Sequence, residues 1–308
     1  MRRVSKPTLS ASGQQALERY ATYLEHEVDS SAATVRNYLS DLQQFIAWCE
    51  MTWAEAQEQG RSFTPAAMTT LLLTRYRSYV QHTRALKPAS VNRALVTLKR
   101  YAAWATEQGL IPRNPATPVK LIPAEASAPR QLEDDEEDAL VTAVTTTGSL
   151  RDRTIIVFML HTGLRACEVC LLQRQHVTLG KRSGRVQVYG KRNKYREVPL
   201  NATARQMLTD YLVELPTESM YLFPSEKTHQ ALTERALGHL VKKYAQRANL
   251  QDVSPHDLRH RFGYRMAESV PLHRLAQIMG HDSLDTTLLY IRGSRRDLQR
   301  EVEKIAWM

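Results

Sequence analysis

The chain has 308 residues with 42 Lys+Arg against 32 Asp+Glu, a formal charge of +10, and a pI near 9.6. That length is more than one hydrophobic core usually serves, and 43% hydrophobic with 24% charged residues excludes wholesale disorder. No apolar run reaches the roughly 18–20 residues of a membrane span, and three cysteines cannot build a disulfide framework.

The basic start (residues 1–6) is followed by no hydrophobic signal core, so a cytoplasmic protein without membrane contact is expected. Leu17, Tyr20, Leu24 and Val28 then repeat at helical spacing. Val35, Leu39, Leu42 and Ile46 do the same, with Tyr38 and Phe45 beside them. Thr64-Pro65 reads as the cap and first turn of a third helix leading into Met68, Leu71, Leu72, Tyr76 and Val80. Ser90 caps a fourth, carrying Val91, Leu95, Leu98 and Ala102 and stopping near Gly109. Residues 10–115 therefore form a small helical bundle. Arg93, Lys99 and Arg100 fall off the apolar stripe of the fourth helix, and either meet DNA phosphates or a major groove or form a solvated face.

Pro112, Pro115, Pro118, Pro123 and Pro129 oppose helix and central strand, which marks residues 116–131 as an extended linker. It also divides the charge. Residues 1–131 hold 16 Lys+Arg against 10 Asp+Glu, and residues 132–308 hold 26 against 22. Both parts are basic, as expected of two domains that touch one polyanion and close on it from two sides.

The second part, residues 132–308, opens on Glu133-Asp134-Asp135-Glu136-Glu137-Asp138, which reads as a solvated helix start favoured by the helix dipole rather than as a metal site. The run Ile155 to Leu160 is either a strand or a buried helix. Arg185 to Tyr189 alternates, Gly190-Lys191-Arg192-Asn193-Lys194 turns, and Tyr195 to Leu200 returns, which is a β-hairpin with a basic tip. Leu237, Leu240, Val241, Tyr244 and Ala248 make an amphipathic helix with Lys242 and Lys243 outside. The fold is thus mainly α with a small antiparallel β-hairpin, a helical bundle joined to an α+β domain. Cys167 and Cys170 form a lone C-x-x-C, read as thiols on a helix and not as a zinc site.

Four segments carry chemistry. His161-Thr162-Gly163-Leu164-Arg165 sends an arginine into a helix after a glycine turn; the hairpin tip offers Lys191. Ser254-Pro255-His256-Asp257-Leu258-Arg259-His260 is a capped helix start with His256 and Arg259 one turn apart, so imidazole and guanidinium can converge on one phosphate. Met279-Gly280-His281 leads through Thr286-Thr287 to Tyr290. His260, Glu168 and His161 either support this site or only pack.

The ordered set T-G-L-R, G-K, S-P-H-x-L-R-H, G-H and T-T-x-x-Y resembles the tyrosine recombinase (phage-integrase-like) family, and most closely its compact Xer-type members. The resemblance covers nearly the whole chain. It implies a core-binding domain in the first part, a catalytic domain in the second, and no cofactor or metal. It further implies Arg165, Lys191, His256, Arg259 and His281 as catalytic residues and Tyr290 as nucleophile; Arg192, Lys242, Lys243, Arg93, Lys99 and Arg100 are the DNA contacts expected from their places at the tip and off the apolar stripes. The expected function is site-specific recombination of double-stranded DNA through a 3′-phosphotyrosine, in a tetramer on two sites made of one chain or of this chain and a paralogue. Leu298, Val302 and Ile305 then belong to a C-terminal helix docking on a neighbouring protomer. The first stripe starts too early for an arm-binding domain, which favours resolution of multimers or cointegrates, or movement of a small mobile element. A catalytically silent DNA-binding relative and a type IB topoisomerase-like activity are the alternatives.

Overall fold

Helical periodicity and helix-end chemistry account for most of the secondary structure in the computed structural model, which describes residues 7–26, 32–58, 60–123, 130–189, 195–281 and 283–292, without the side chains of Ile291 and Arg292. The chain divides into two units, Met1–Ala126 and Ser127–Met308.

In the first unit, α1 (Ala11–His26), α2 (Ala32–Glu55), α3 (Thr70–Ser78) and α4 (Pro88–Glu107) close on Tyr20, Leu42, Phe45, Ile46, Leu73, Tyr76, Leu95, Leu98 and Tyr101. Val28 of the first stripe lies outside the described residues. Thr64-Pro65 begins a separate 3-10 turn (Pro65–Ala67), and α3 is capped instead by Thr69, whose hydroxyl accepts from Leu72 N at 3.2 Å. That resets the buried face: Leu73 is buried, whereas Leu71 is 65% exposed. Helix α4 starts earlier than Ser90, because Pro88 occupies its first turn with its φ already helical.

Residues 116–122 lie against this unit. Ala116 and Val119 join its core. Asn92 accepts from Ile122 N at 2.8 Å and donates to Ile122 O at 2.9 Å, and Arg77 donates to Lys120 O at 3.0 Å. Prolines bar a ladder or helix here, so side chains of α3 and α4 satisfy this extended backbone.

In the second unit, α6 (Leu150–Thr162) is the central element, capped by Ser149, with Ile155 through Leu160 all buried. It packs against α5 (Asp134–Thr147), α8 (Ala202–Glu214) and α10 (Pro255–Ala267). Surrounded on several sides, it needs no polar face, and its continuous apolar run is a buried helix. The hairpin strands β2 (Gly184–Tyr189) and β3 (Tyr195–Pro199) pair antiparallel with Val186 opposite Val198 and Val188 opposite Arg196. A third strand, β1 (Val177–Leu179), borders β2; three residues are too few to show alternation in sequence. The unit is completed by α7 (Ala166–Leu171), α9 (Glu234–Arg247), α11 (Leu272–Met279) and α12 (Leu284–Arg292). The C-terminal stripe Leu298, Val302, Ile305 lies outside the described residues. Among the described residues no helix is long and apolar enough to cross a membrane.

The acidic run does start a helix, α5, but it is more than a solvated face. Glu133 and Glu136 form a capping box, and Arg130 pairs with Glu136 at 2.6 Å. Arg261 of α10, 5% exposed, binds Glu137 at 2.5 Å, Leu132 O at 2.8 Å and also Asp134, while Arg265 reaches Glu137 at 2.9 Å. The start of α5 is therefore tied to the middle of α10. Arg261→Met is expected to destabilise the second unit by about 2–3 kcal/mol, because Glu137 keeps only the more exposed Arg265. Urea unfolding followed by circular dichroism measures this, and an unchanged midpoint would remove the tie from the account.

Candidate active site

Two turns and two helix starts bring the site together. Gly163 ends α6 in a left-handed turn, buried Leu164 anchors the chain, and Arg165 becomes the N-cap residue of α7. Ser254 caps α10 reciprocally with Asp257, whose carboxylate accepts from Ser254 N at 2.8 Å and from its hydroxyl at 2.6 Å. This cap sets His256 at the exposed mouth and turns Arg259 inward, 3% exposed.

The C-terminus of α11 is the meeting point. Its last carbonyls lack helical partners and carry the negative end of the helix dipole. Arg196 Nε donates to Ile278 O at 3.0 Å, Arg259 Nη2 to Met279 O at 2.8 Å, and Arg165 Nη2 to Gly280 O at 2.5 Å. Three guanidiniums thus cap three successive carbonyls. Arg259 Nη1 also donates to Gly163 O at 2.6 Å, joining this turn to the one before Arg165. Gly280 has φ +65°, and a Cβ there would lie 2.7 Å from the Arg196 guanidinium, so glycine is required twice over.

Behind the arginines stands Glu168. It accepts from Arg165 N at 2.7 Å and Arg165 Nη1 at 3.0 Å, and takes both Arg196 terminal nitrogens at 2.8 and 2.9 Å. Burial acts to raise its carboxyl, but the hydrogen bonds and charge of Arg196, with Arg165, hold it below the ordinary carboxylate value.

His281 follows the capped turn directly. Its Nδ1 lies 2.8 Å from the hydroxyl of buried Thr287 on α12, and its ring lies parallel to that of Tyr290, centroids 6.1 Å apart. Tyr290 is 2% exposed, edge-on to Tyr264, with its hydroxyl 3.1 Å from His260 Nδ1. Gly263 makes room for it: a Cβ there would come within 2.5 Å of the tyrosine ring. The His256 and His260 rings meet edge to face at 4.1 Å.

The electrostatics follow from burial among cations. Burial, then His256, pushes the His260 imidazole down to about 4; burial, then Arg259 and Arg165, pushes His281 down to about 4. His256 is lowered too, by burial and then Arg259. Burial and Arg165 bring Arg259 down to about 10, still charged at neutrality. Burial raises the Tyr290 phenol, outweighing the opposing pull of Arg259 and Arg165. At neutral pH the cluster holds its guanidiniums, neutral imidazoles and a protonated tyrosine whose hydroxyl can donate to His260. Such a site favours an oxyanion.

Arg165, His256, Arg259, His281 and Tyr290 therefore come together. Lys191 and Arg192 lie outside the described residues. Arg196 belongs to none of the sequence motifs, and Thr287 stands in T-T-x-x-Y without a role of its own; Arg196 shares the inward face of β3 with Val198, a signal that strand alternation carries. His161 is engaged elsewhere, its Nδ1 2.8 Å from the Asn201 side-chain nitrogen. In the first unit, Arg93 pairs with buried Asp41 at 2.8 Å, Arg100 lies over Tyr38 at 5.3 Å, and Lys99 donates to Ala116 O at 2.9 Å. On α9, Lys242 is exposed and Lys243 lies 3.1 Å from the Tyr244 hydroxyl. Cys49 and Cys170 are buried and Cys167 is half-buried, all free thiols. Among the described residues no His, Cys, Asp or Glu cluster could hold a metal ion.

Both parts of the chain match known families. The phage integrase family model matches residues 130–296, and that of the phage integrase N-terminal SAM-like domain matches residues 17–109. Tyrosine recombinase XerC of Xanthomonas axonopodis pv. citri is 30% identical over 281 residues, covering 89% of this chain and 91% of the relative. Tyrosine recombinase XerD of Pseudomonas aeruginosa is 31% identical over 293 residues, covering 92% and 94%. In fold, the chain is similar to XerH site-specific recombinase bound to difH substrate in a pre-cleavage complex, with TM-score 0.71 at 22% identity over 96% of this chain and 84% of that one. The arginine-capped turn with its neighbouring tyrosine is thus carried by a chain that belongs to the phage integrase family, the tyrosine recombinases.

Proposed function

We propose that this chain is a site-specific recombinase that cuts and rejoins double-stranded DNA through a 3′-phosphotyrosine bond on Tyr290. The observation that carries the reading is the gathering of Arg165, Arg259 and His281 around one turn, with Tyr290 packed on His281 and on His260, which the His256 ring meets. Arg165 and Arg259 grip the nonbridging oxygens of the scissile phosphate, where negative charge grows as phosphorus becomes five-coordinate, and His281 adds a donor. Tyr290 Oη bonds to phosphorus while the P–O5′ bond breaks. The phenolic proton passes to His256, neutral for the reason given above, and the departing 5′ oxygen takes a proton from Lys191. The phosphodiester energy stays in the new bond, so a second 5′-hydroxyl can reverse the step on another strand.

The phenol is buried with its hydroxyl on His260, so attack requires α12 to move the ring toward the phosphate. We place strand exchange in a tetramer on two DNA sites, formed by this chain alone or with a paralogue. Its role is resolution of multimers or cointegrates, or movement of a small element. Arg93 and Arg100 of the first unit, and Lys242 and Lys243 of the second, are exposed enough to meet phosphates, and Arg192 joins them; Lys99 already serves an internal partner.

The test is a pool of random-sequence duplexes, each nicked at its centre so that the short 5′-hydroxyl fragment diffuses away after cleavage. The wild-type chain is expected to form a denaturation-resistant DNA adduct enriched in one sequence family, and Tyr290→Phe to form none. An adduct of equal yield with Tyr290→Phe sinks the assignment of the nucleophile. Relaxation of plasmid DNA without sequence preference supports a topoisomerase instead. Arg259→Gln should slow adduct formation on the recovered site by about 100- to 1,000-fold, the loss typical of a transition-state donor.

The pH dependence has a defined sign. His256 acts as the neutral base, and its pKa is lowered, so activity is present above that pKa and lost as pH falls through it. With protein and DNA below saturation, the acid limb of the adduct-forming rate should have its midpoint below 6.5, the ordinary imidazole value. A midpoint above 6.5 contradicts this assignment.

A further inference from the structure

We propose that Arg196 is a positioning residue for the cleavage reaction: it sets the orientation of Arg165 through Glu168 and fixes the turn that carries His281. This rests on the recombinase reading above.

Arg196 spends its guanidinium on protein. Nε donates to Ile278 O at 3.0 Å, and both terminal nitrogens fork onto the two Glu168 oxygens at 2.8 and 2.9 Å. Its side chain is only 15% exposed and that of Glu168 5%. A group so placed stands behind the phosphate site. Its influence reaches that site by two routes. The first runs through Glu168, whose same two oxygens hold the Arg165 backbone N–H and one Arg165 terminal nitrogen. Without Arg196, a buried carboxylate loses a bidentate partner and has Arg165 alone to compensate it. The guanidinium of Arg165 is then drawn toward Glu168 and away from an incoming phosphate.

The second route runs through α11. Ile278, Met279 and Gly280 are capped by Arg196, Arg259 and Arg165 in turn, and the next residue is His281. Gly280 lies so close to Arg196 that a Cβ would not fit between them, so the turn rests directly on this side chain. Removing it frees one carbonyl and opens space beneath the turn, which shifts His281 relative to Tyr290. Both routes need a planar fork with a third donor pointing aside. Arginine has that shape; a lysine ammonium is a point charge that cannot serve a carboxylate in two places and a carbonyl in a third. Arg196 also opens strand β3, which leaves the hairpin tip. The strand that follows Lys191 is thereby pinned to the same turn as the arginines.

The test uses the full chain and the site recovered from the nicked-duplex selection, in two forms: an ordinary scissile phosphate and a methylphosphonate at the mapped cleavage position. The methylphosphonate is neutral and makes less demand on a well-aligned pair of guanidiniums. Arg196→Gln and Arg196→Lys are both expected to bind the site within about twofold of wild type yet to form adduct about 100-fold more slowly, as a displaced catalytic group does. On the methylphosphonate, the deficit of both variants should shrink to about threefold. A variant that fails to fold, or a merely structural loss, lowers binding and both cleavage reactions together, and that outcome overturns the proposal. Full activity of Arg196→Lys on the phosphate overturns it as well, since charge without the fork would then suffice. If wild type forms the Tyr290 adduct and Arg196→Gln forms it equally fast, the proposal fails while the recombinase reading stands. If wild type forms no adduct, the recombinase reading falls and this inference with it.

Discussion

The capping of one helix end by three arginines is the constraint on which the site depends. An eight-residue helix, α11, ends with carbonyls that need donors, and the chain supplies them from α7, β3 and α10 at once. Elements distant in sequence are thereby fixed to one turn. The same hydrogen bonds that complete a helix also gather positive charge at one place. Few other arrangements would hold like charges so close before any phosphate arrives, because each guanidinium is already engaged with a carbonyl dipole or with Glu168.

Burial then sorts the remaining groups. A half-buried imidazole beside two guanidiniums sheds its proton, whereas a buried phenol keeps one. Both effects act in the direction a phosphoryl-transfer site requires before its substrate binds. The imidazoles are free to accept or donate through neutral nitrogens, and the tyrosine is not spent on adventitious chemistry. Its place against Gly263, Tyr264 and His281 is a packed one.

How far the sequence foretold this depends on which physical signal each residue leaves. Ser254-Pro255 announced α10 because cap and first-turn preferences are local, and the i, i+3 spacing of His256 and Arg259 follows once the helix is granted. Gly163 marked its turn for the same reason. The length of the run from Ile155 to Leu160 could not choose between strand and helix, since a helix buried on several sides shows no periodic face. Thr64-Pro65 misled, because a proline turn and the true cap at Thr69 lie only a few residues apart. Arg196 was legible only as one residue of an alternating strand. Its partners, Glu168 and Ile278, lie 28 and 82 residues away, and no local pattern links them.

The acidic residues have an unexpected part in a basic protein. Four buried carboxylates, Asp41, Glu137, Asp152 and Glu168, each hold at least one arginine. All four have a cationic partner that is itself substantially exposed: Arg93 at 51%, Arg265 at 57%, Lys243 at 49% and Arg165 at 41%. A buried ion pair gives little net stability, because desolvation of the acid cancels most of the attraction. Its effect is on geometry. A long, flexible cation whose terminal nitrogen is held by a fixed carboxylate loses most of its rotamers, so less entropy remains to be lost when it is ordered further. Glu168 does this for Arg165 at the reacting centre, and Asp41, braced by Thr97 at 3.2 Å, does it for Arg93 on α4 of the other unit. The net charge of +10 therefore understates how the chain uses its cations. What matters for recognising DNA is how many are held in place, and the buried acids decide that.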